Sequence, residues 1–379
     1  MLLAGAHLNY SKGEFGNDFK VGIIVWKDEN MKKVLLGMSG GVDSSVSAIL
    51  LKEQGYDVIG ITLELFGGTC CNTDAIVGAK QICNSIGIPH ITYNLKEEFQ
   101  CKVINNFIDE YSNQRTPNPC IECNKYMKFG AMYEKAKELG CDYIATGHYA
   151  KMEYSDEYGK YVLRKAQNLS KDQSYVLYNM PKQLLGKVLF PLGNFESKED
   201  VRKIAKEHNL SVASKPDSED ICFIPDGNYK KFLEQNSSIV PKEGNIVNRK
   251  GEILGRHTGL YNYTIGQRKG LGISYKVPLF VIGFNKERNE VIVGEQQELY
   301  RKEMKVNEVN LLLMDKIERT LDVTVKIRYV SKPAEAIINQ TEAGNIQVIF
   351  KEPQRGITPG QSAVFYIGDV VVGGGKIQD

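Results

Sequence analysis

Three short stretches hold residues whose types and spacing could do chemistry. The first is Ser39-Gly40-Gly41-Val42-Asp43-Ser44, set between an apolar run, Val34-Leu35-Leu36, and a helical pattern in which Val46, Ile49 and Leu50 fall at i, i+3 and i+4. Glycines at such a strand-turn-helix let the backbone approach a ligand closely, and the N–H groups of the helix start, near Asp43 or Ser44, suit a phosphate or pyrophosphate. No G-x-x-x-x-G-K-[ST] occurs, so the lysine of a Walker loop is missing, which argues against ordinary γ-phosphate chemistry. The second stretch is Asn118-Pro119-Cys120-Ile121-Glu122-Cys123, preceded by Arg115-Thr116-Pro117. Its prolines predict an extended loop, with Cys123 near the N-terminus of the helix that follows, where the helix dipole favours the thiolate. A single C-x-x-C fits a zinc half-site, an iron–sulfur ligand pair, a redox pair or two incidental thiols; the lack of a second one weakens structural zinc. The third is Cys222 in Pro216-Asp217-Ser218-Glu219-Asp220-Ile221-Cys222-Phe223-Ile224-Pro225, an ordered loop in which a small buried apolar cysteine is an equally fair reading. Cys70-Cys71 are expected near the nucleotide, although adjacent cysteines cannot easily share one site, whereas Cys83, Cys101 and Cys141 read as packing residues.

The elements that must position these groups follow a βα rhythm. Strands are predicted at Asp57–Leu65, His90–Leu95 and Tyr143–Thr146, and helices at Asp74–Ile86, Glu97–Tyr111 and Lys125–Leu139. This alternation predicts an α/β fold with a doubly wound parallel sheet that binds ligands at the carboxyl ends of its strands. Beyond about Tyr229 the character changes, with a loop at Asn236–Gly244 and then short alternating runs: Leu279–Phe284, Glu290–Val293, Leu321–Tyr329, Ala334–Ile338, Ile346–Phe350 and Ala363–Ile367. The expected organisation is a catalytic domain over 31–228, a small β-rich central domain over 229–298 and a closed C-terminal β-barrel over 299–379.

At 379 residues the chain suits two or three domains, and 42% hydrophobic with 25% charged residues is the composition of a soluble globular protein. No apolar run approaches the roughly 18 residues of a membrane span. Residues 1–30 lack a secretory signal and fit no domain; Met31 directly precedes the first strand, so they read as an N-terminal extension or a misplaced start. A net charge of +2 implies no whole-molecule attraction to nucleic acid, leaving local patches such as Arg249-Lys250 and Arg268-Lys269. Eight cysteines without a secretion signal point to a reducing, cytoplasmic setting.

The loop Ser39–Ser44 resembles the SGGxDS loop of the PP-loop ATP pyrophosphatases, which cleave ATP between the α and β phosphates. Together with TPNPCIECN, TGHYA (146–150), KDQSYVLY (171–178), KPDSEDICFIPDG (215–227), GRHTGLYNYTIGQRKGLGI (255–273) and EPQRGITPGQSAVFY (352–366), it makes the chain similar, from Met31 to its C-terminus, to the tRNA-specific 2-thiouridylase family. The resemblance implies ATP-dependent, Mg2+-assisted thiolation of carbon 2 of the wobble uridine in tRNAs for Lys, Glu and Gln. It implies ATP contacts at Gly37, Met38, Ser39, Gly40, Gly41, Val42, Asp43, Ser44, Leu63 and Gly147, and target-base contacts at Asn118, Pro119 and Cys120. It implies tRNA contacts at His148, Lys171, Asp172, Gln173, Arg328, Tyr329 and Gln361. By the same resemblance Cys222 carries a persulfide loaded by a cysteine desulfurase or sulfur-relay protein, and Cys123 frees its terminal sulfur, leaving a transient Cys123–Cys222 disulfide. Many family members have aspartate, assigned an acid/base role, where this chain has Cys120. That departure raises a second reading of the same reaction, a [4Fe–4S] cluster on Cys120, Cys123 and Cys222 as sulfide carrier.

Two rivals remain at this level. An adenylating ligase for a small molecule shares the loop but not the paired thiols. A non-catalytic RNA-binding or metal-storage protein has no need of the loop.

Overall fold

The computed structural model describes residues 31–66, 73–214 and 221–378. The extension over 1–30, Cys70-Cys71 and residues 215–220 lie outside the described residues.

The α/β layer is built as the βα rhythm dictates. β1 (Lys33–Gly37) is buried along its middle, and α1 (Val42–Glu53), β2 (Asp57–Glu64), α2 (Thr73–Ile86) and β3 (His90–Asn94) follow. Helical residues 96–112 comprise α3 (Lys96–Phe99), a π-helical stretch and α4 (Asn105–Ser112). Residues 119–138 form a second long helix, from α5 (Pro119–Cys123) through a π-helical stretch into α6 (Met132–Glu138). β4 (Tyr143–Ala145) then pairs parallel to β1 on the side opposite β2, with Leu35 facing Ile59 on one side and Ile144 on the other. After the hairpin β5 (Ala150–Ser155) and β6 (Lys160–Lys165) and the short α7 (Ser174–Leu177), β7 (Val188–Leu189) completes the parallel order β3-β2-β1-β4-β7. The strand order reverses between β1 and β4, so the loops leaving those two strands flank a crevice at their carboxyl ends, the usual ligand position in such sheets.

One helix begins earlier than its sequence pattern suggests. Pro119 is not a breaker but the first helical residue, a position that suits its fixed φ and missing N–H, and the Asn118 side chain caps the turn by accepting from the Cys120 N–H at 3.2 Å. The predicted run Leu321–Tyr329 is shorter in the structure, because Ser331 Oγ accepts from the N–H groups of Ile327 and Arg328, both at 3.2 Å, and turns the chain out of the sheet.

α8 (Lys198–Glu207) packs on α1, and α9 (Tyr229–Asn236) leads into a four-stranded sheet. Its strands β8 (Gly244–Val247), β9 (Ile253–His257), β10 (Phe280–Asn285) and β11 (Glu290–Gly294) enclose a small core of Ile246, Val281, Val291 and Val293. The last six strands are β12 (Tyr300–Leu311), β13 (Leu321–Lys326), β14 (Ala334–Gln340), β15 (Ile346–Arg355), β16 (Ser362–Ile367) and β17 (Val370–Ile377). β12 pairs with both β15 and β17, which closes a barrel around Val306, Ile338, Val348, Phe350 and Phe365. Closure leaves the barrel without a sheet edge except where β6 joins β17, Arg164 facing Val370. The hairpin 150–165 is thus lent by the α/β layer to the barrel sheet, and Tyr175, Tyr178, Val364, Tyr366 and Val371 share one core with Leu35 and Ile144.

Candidate active site

The loop after β1 is held in shape by its own hydroxyls. The Ser39 N–H donates to Ser44 Oγ at 3.3 Å, and the hydroxyls of Ser44 and Ser45 donate to the Gly41 carbonyl at 3.2 and 2.8 Å. Gly40 has φ +69°, and a Cβ there would meet the Ala75 carbonyl oxygen at 3.1 Å, so only glycine lets α2 approach this closely. Gly41, at the N-cap of α1, makes no side-chain cap, and the first turn carries one acidic residue, Asp43. Met38, Val42 and Ser44 are buried beneath the loop, whereas Ser39 faces outward. From β4, Gly147 lies against this helix start: a Cβ on it would stand 2.9 Å from the Ser44 nitrogen and 3.0 Å from the Asp43 carbonyl carbon. The two loops therefore touch backbone to backbone across the crevice.

Asp43 has partners that no local pattern announces. Lys198 Nζ, at the start of α8, donates to Oδ1 and Oδ2 at 2.5 and 2.6 Å, and the Tyr149 hydroxyl donates to Oδ1 at 2.8 Å. Gln173 in turn fixes Tyr149, exchanging backbone N–H to Tyr149 O (2.8 Å) for Tyr149 N–H to its own Oε1 (2.9 Å).

The thiols converge at the carboxyl ends of β2 and β3. Cys123 is buried in a cluster with Leu65, Leu95, Phe99, Phe107 and Met127, and Cys222 packs against the same cluster from the turn after residue 220. Phe223 is the anchor. Its ring meets those of Phe66, Phe99, Phe107 and Phe232 at centroid distances of 6.5, 5.7, 5.4 and 5.3 Å, fixing the Cys222 turn beside the Cys123 helix. Leu63 borders both this cluster and the core under the sheet. Because the helix starts at Pro119, Cys120 occupies its exposed first turn while Cys123 sits one turn in, so the N-terminal dipole acts more strongly on Cys120 than on Cys123. Among the described residues no group of three or more His, Cys, Asp or Glu side chains is placed to hold a metal ion.

The seven positions expected to face RNA divide by burial. His148 and Asp172 are 8% and 7% exposed. Lys128 Nζ, which can only donate, lies 3.3 Å from His148 Nε2, so the proton is on Nδ1, 2.7 Å from Thr146 Oγ1. Burial first and then Lys128 hold this imidazole well below its ordinary 6.5 and therefore neutral. Asp172 accepts from the N–H groups of Ala166 and Ser174 and from the Ser174 hydroxyl. Arg328 donates to the carbonyls of Ile265 and Gly356 at 3.2 and 2.8 Å, tying the central sheet to the barrel. Gln361 Nε2 donates to the Thr116 carbonyl at 2.8 Å and to that of Pro117 at 3.4 Å. Of the seven, Tyr329 is exposed and Lys171 half-buried. The Tyr329 hydroxyl is pushed up by burial, then by Asp172 and Cys120, a sign that it stands near the Cys120 thiol. Beside it are two half-buried lysines that sequence reasoning missed. Lys326 lies 5.6 Å from the Tyr329 ring centre and Lys165 lies 4.3 Å from that of Tyr366, each pushed down chiefly by burial.

The strap that leads into the cysteine helix is where all three parts of the chain meet. The Thr116 N–H donates to the Pro359 carbonyl (2.9 Å), and the Thr116 hydroxyl to Thr264 Oγ1 (3.3 Å). Buried Glu110 takes Arg115 in two 2.7 Å bonds and Lys376 of β17 at 3.4 Å.

Residues 32–226 match the family model described as a tRNA methyl transferase HUP domain, 230–295 that of a tRNA methyl transferase PRC-barrel domain, and 301–377 that of an aminomethyltransferase beta-barrel domain. The tRNA-specific 2-thiouridylase MnmA of Acetivibrio thermocellus is 49% identical over 357 residues, 92% of this chain and 99% of that protein. That of Clostridioides difficile is 48% identical over 355 residues, 92% of this chain and 98% of its relative. Identity at this level over 92% of its length makes the chain a member of the tRNA-specific 2-thiouridylase family.

Proposed function

We propose that the chain is a tRNA-uridine 2-sulfurtransferase, acting on the wobble uridine (position 34) of tRNAs for Lys, Glu and Gln and releasing AMP and pyrophosphate. The observation that carries this reading is the convergence of Cys123 and Cys222 on one aromatic cluster at the carboxyl end of the same sheet whose β1 leads into the Ser39–Ser44 loop. ATP, with Mg2+ on its phosphates, is taken by Gly37, Met38, Ser39, Gly40, Gly41, Val42, Asp43 and Ser44, with Leu63 and Gly147 at the adenosine. The uridine is turned out of the anticodon loop towards Asn118, Pro119 and Cys120, since chemistry at carbon 2 needs an unstacked base. Its carbonyl oxygen, a poor leaving group, attacks the α-phosphate and expels pyrophosphate. Cys123 attacks the inner sulfur of the Cys222 persulfide, the terminal sulfur adds to carbon 2, and AMP leaves with the oxygen. The products are 2-thiouridine and a Cys123–Cys222 disulfide, which a cellular thiol reductant reopens, as suits a cytoplasmic enzyme.

The persulfide itself comes from a cysteine desulfurase or relay protein. Contact with the anticodon stem-loop falls to Lys171 and Tyr329, with Lys165 and Lys326 behind them as phosphate partners. Domain limits of 31–228, 229–298 and 299–379 agree with this division of labour. Methyl transfer, which the names of two domain models suggest, needs neither ATP cleavage nor paired thiols, and the loop and cysteines speak for sulfur. ATP–pyrophosphate exchange tests the reading: exchange that requires added tRNA supports it, and exchange at equal rate without tRNA refutes it.

A further inference from the structure

A nucleotide loop without a Walker lysine has a physical difficulty in this chain. Asp43 sits in the first turn of α1, among the N–H groups that would receive phosphate, and its carboxylate repels the polyanion those groups attract. The partner that answers this charge comes from far along the sequence. Lys198 is 7% exposed, its Nζ contacts both Asp43 oxygens at 2.5 and 2.6 Å and lies 5.5 Å from the Tyr149 ring centre, and Ser197 caps α8 by accepting from the Asp200 N–H. Burying a lysine side chain is costly without such a partner, and here the partner belongs to the loop itself.

We propose that Lys198 is a residue of the nucleotide site: its ammonium, held on Asp43, supplies the positive charge the loop lacks and passes to the phosphates when the divalent cation that accompanies ATP takes up Asp43. One cation replaces another at the carboxylate, so Asp43 stays compensated while the ammonium turns to the phosphates. Tyr149, donating to the same carboxylate, keeps Asp43 oriented in both states. The inference rests on reading the loop as an ATP site.

The test is ATP binding to the full-length protein by calorimetry, without tRNA, with Mg2+ and with a chelator, for wild type, Lys198→Gln and Lys198→Arg, alongside thermal denaturation. Lys198→Gln is expected to weaken ATP on the order of tenfold with Mg2+, and by a clearly larger factor in chelator, where no second cation offsets Asp43. Lys198→Arg keeps the charge and is expected to stay within about threefold of wild type. Equal loss in both conditions, or unchanged affinity despite a lower melting temperature, would show Lys198 to be structural only and overturn the proposal. Wild type that binds no ATP at all would instead overturn the reading of the loop, and the proposal with it.

Discussion

Gln361→Ala separates two accounts of one residue. Family resemblance points it at tRNA, but in this chain its amide donates at 2.8 Å to the carbonyl of Thr116 and, at 3.4 Å, weakly to that of Pro117, immediately ahead of the Asn118 cap of the cysteine helix. Truncation removes one good hydrogen bond and leaves a half-buried carbonyl short of a donor, a cost of about 1–2 kcal/mol. At 1.4 kcal/mol per decade, the strap then leaves its held position roughly 5- to 30-fold more often. The remaining ties from Pro359, Thr264 and the Glu110–Arg115 pair keep it from melting outright. The assay is twofold: the alkylation rate of Cys120 and Cys123, followed by peptide mass spectrometry, and the dissociation constant for tRNA. Faster alkylation and slower single-turnover thiolation, with tRNA affinity within about twofold, are expected because the strap and not the RNA contact has been loosened. A tRNA affinity reduced tenfold or more with unchanged alkylation would refute the reasoning and return Gln361 to the RNA surface.

Three further outcomes follow from the same geometry. Phe223→Ala empties the centre of four aromatic contacts and is expected to cost about 3–5 kcal/mol in unfolding free energy; below its transition the variant should bind ATP yet thiolate poorly, and full activity would contradict the anchoring role. Gly147→Ala drives a Cβ to within 3.0 Å of backbone at Asp43 and Ser44, so ATP affinity should fall about tenfold and the overpacking should also cost about 1–3 kcal/mol of stability; unchanged ATP affinity would contradict the close approach of the two loops. His148 is protonated near 6.5 when unfolded but stays neutral in the fold, so the unfolded state binds the extra proton and stability declines as pH falls below that value. Denaturant titrations between pH 7 and 5 should show a flatter decline for His148→Gln, and an unchanged slope would contradict the burial argument.

The parts legible in the sequence were those written in local pattern. Apolar spacing in Val34–Leu36 and Val46–Leu50, with glycines between, specified strand, turn and helix, and the period-2 runs at Ala334–Ile338 and Ile346–Phe350 specified barrel strands. The start of the cysteine helix is ambiguous in sequence because proline signals both a break and a first helical residue, and only the Asn118 cap decides between them. What was illegible is long-range. Nothing near Lys198 reveals that it meets Asp43, and nothing in Lys151–Lys165 reveals that this hairpin completes a sheet with Val370. The burial of His148 and Asp172 is likewise decided by packing partners distant in the chain.

In the proposed reaction ATP and two cysteines together replace the carbon 2 oxygen of a tRNA uridine by sulfur. Nucleoside mass spectrometry of unmodified tRNA incubated with the protein, ATP, Mg2+ and a persulfide source tests it most directly. Wild type is expected to form 2-thiouridine and neither Cys123→Ser nor Cys222→Ser to form any; 2-thiouridine made at an undiminished rate by either variant, or a methylated uridine in its place, would refute the proposed reaction.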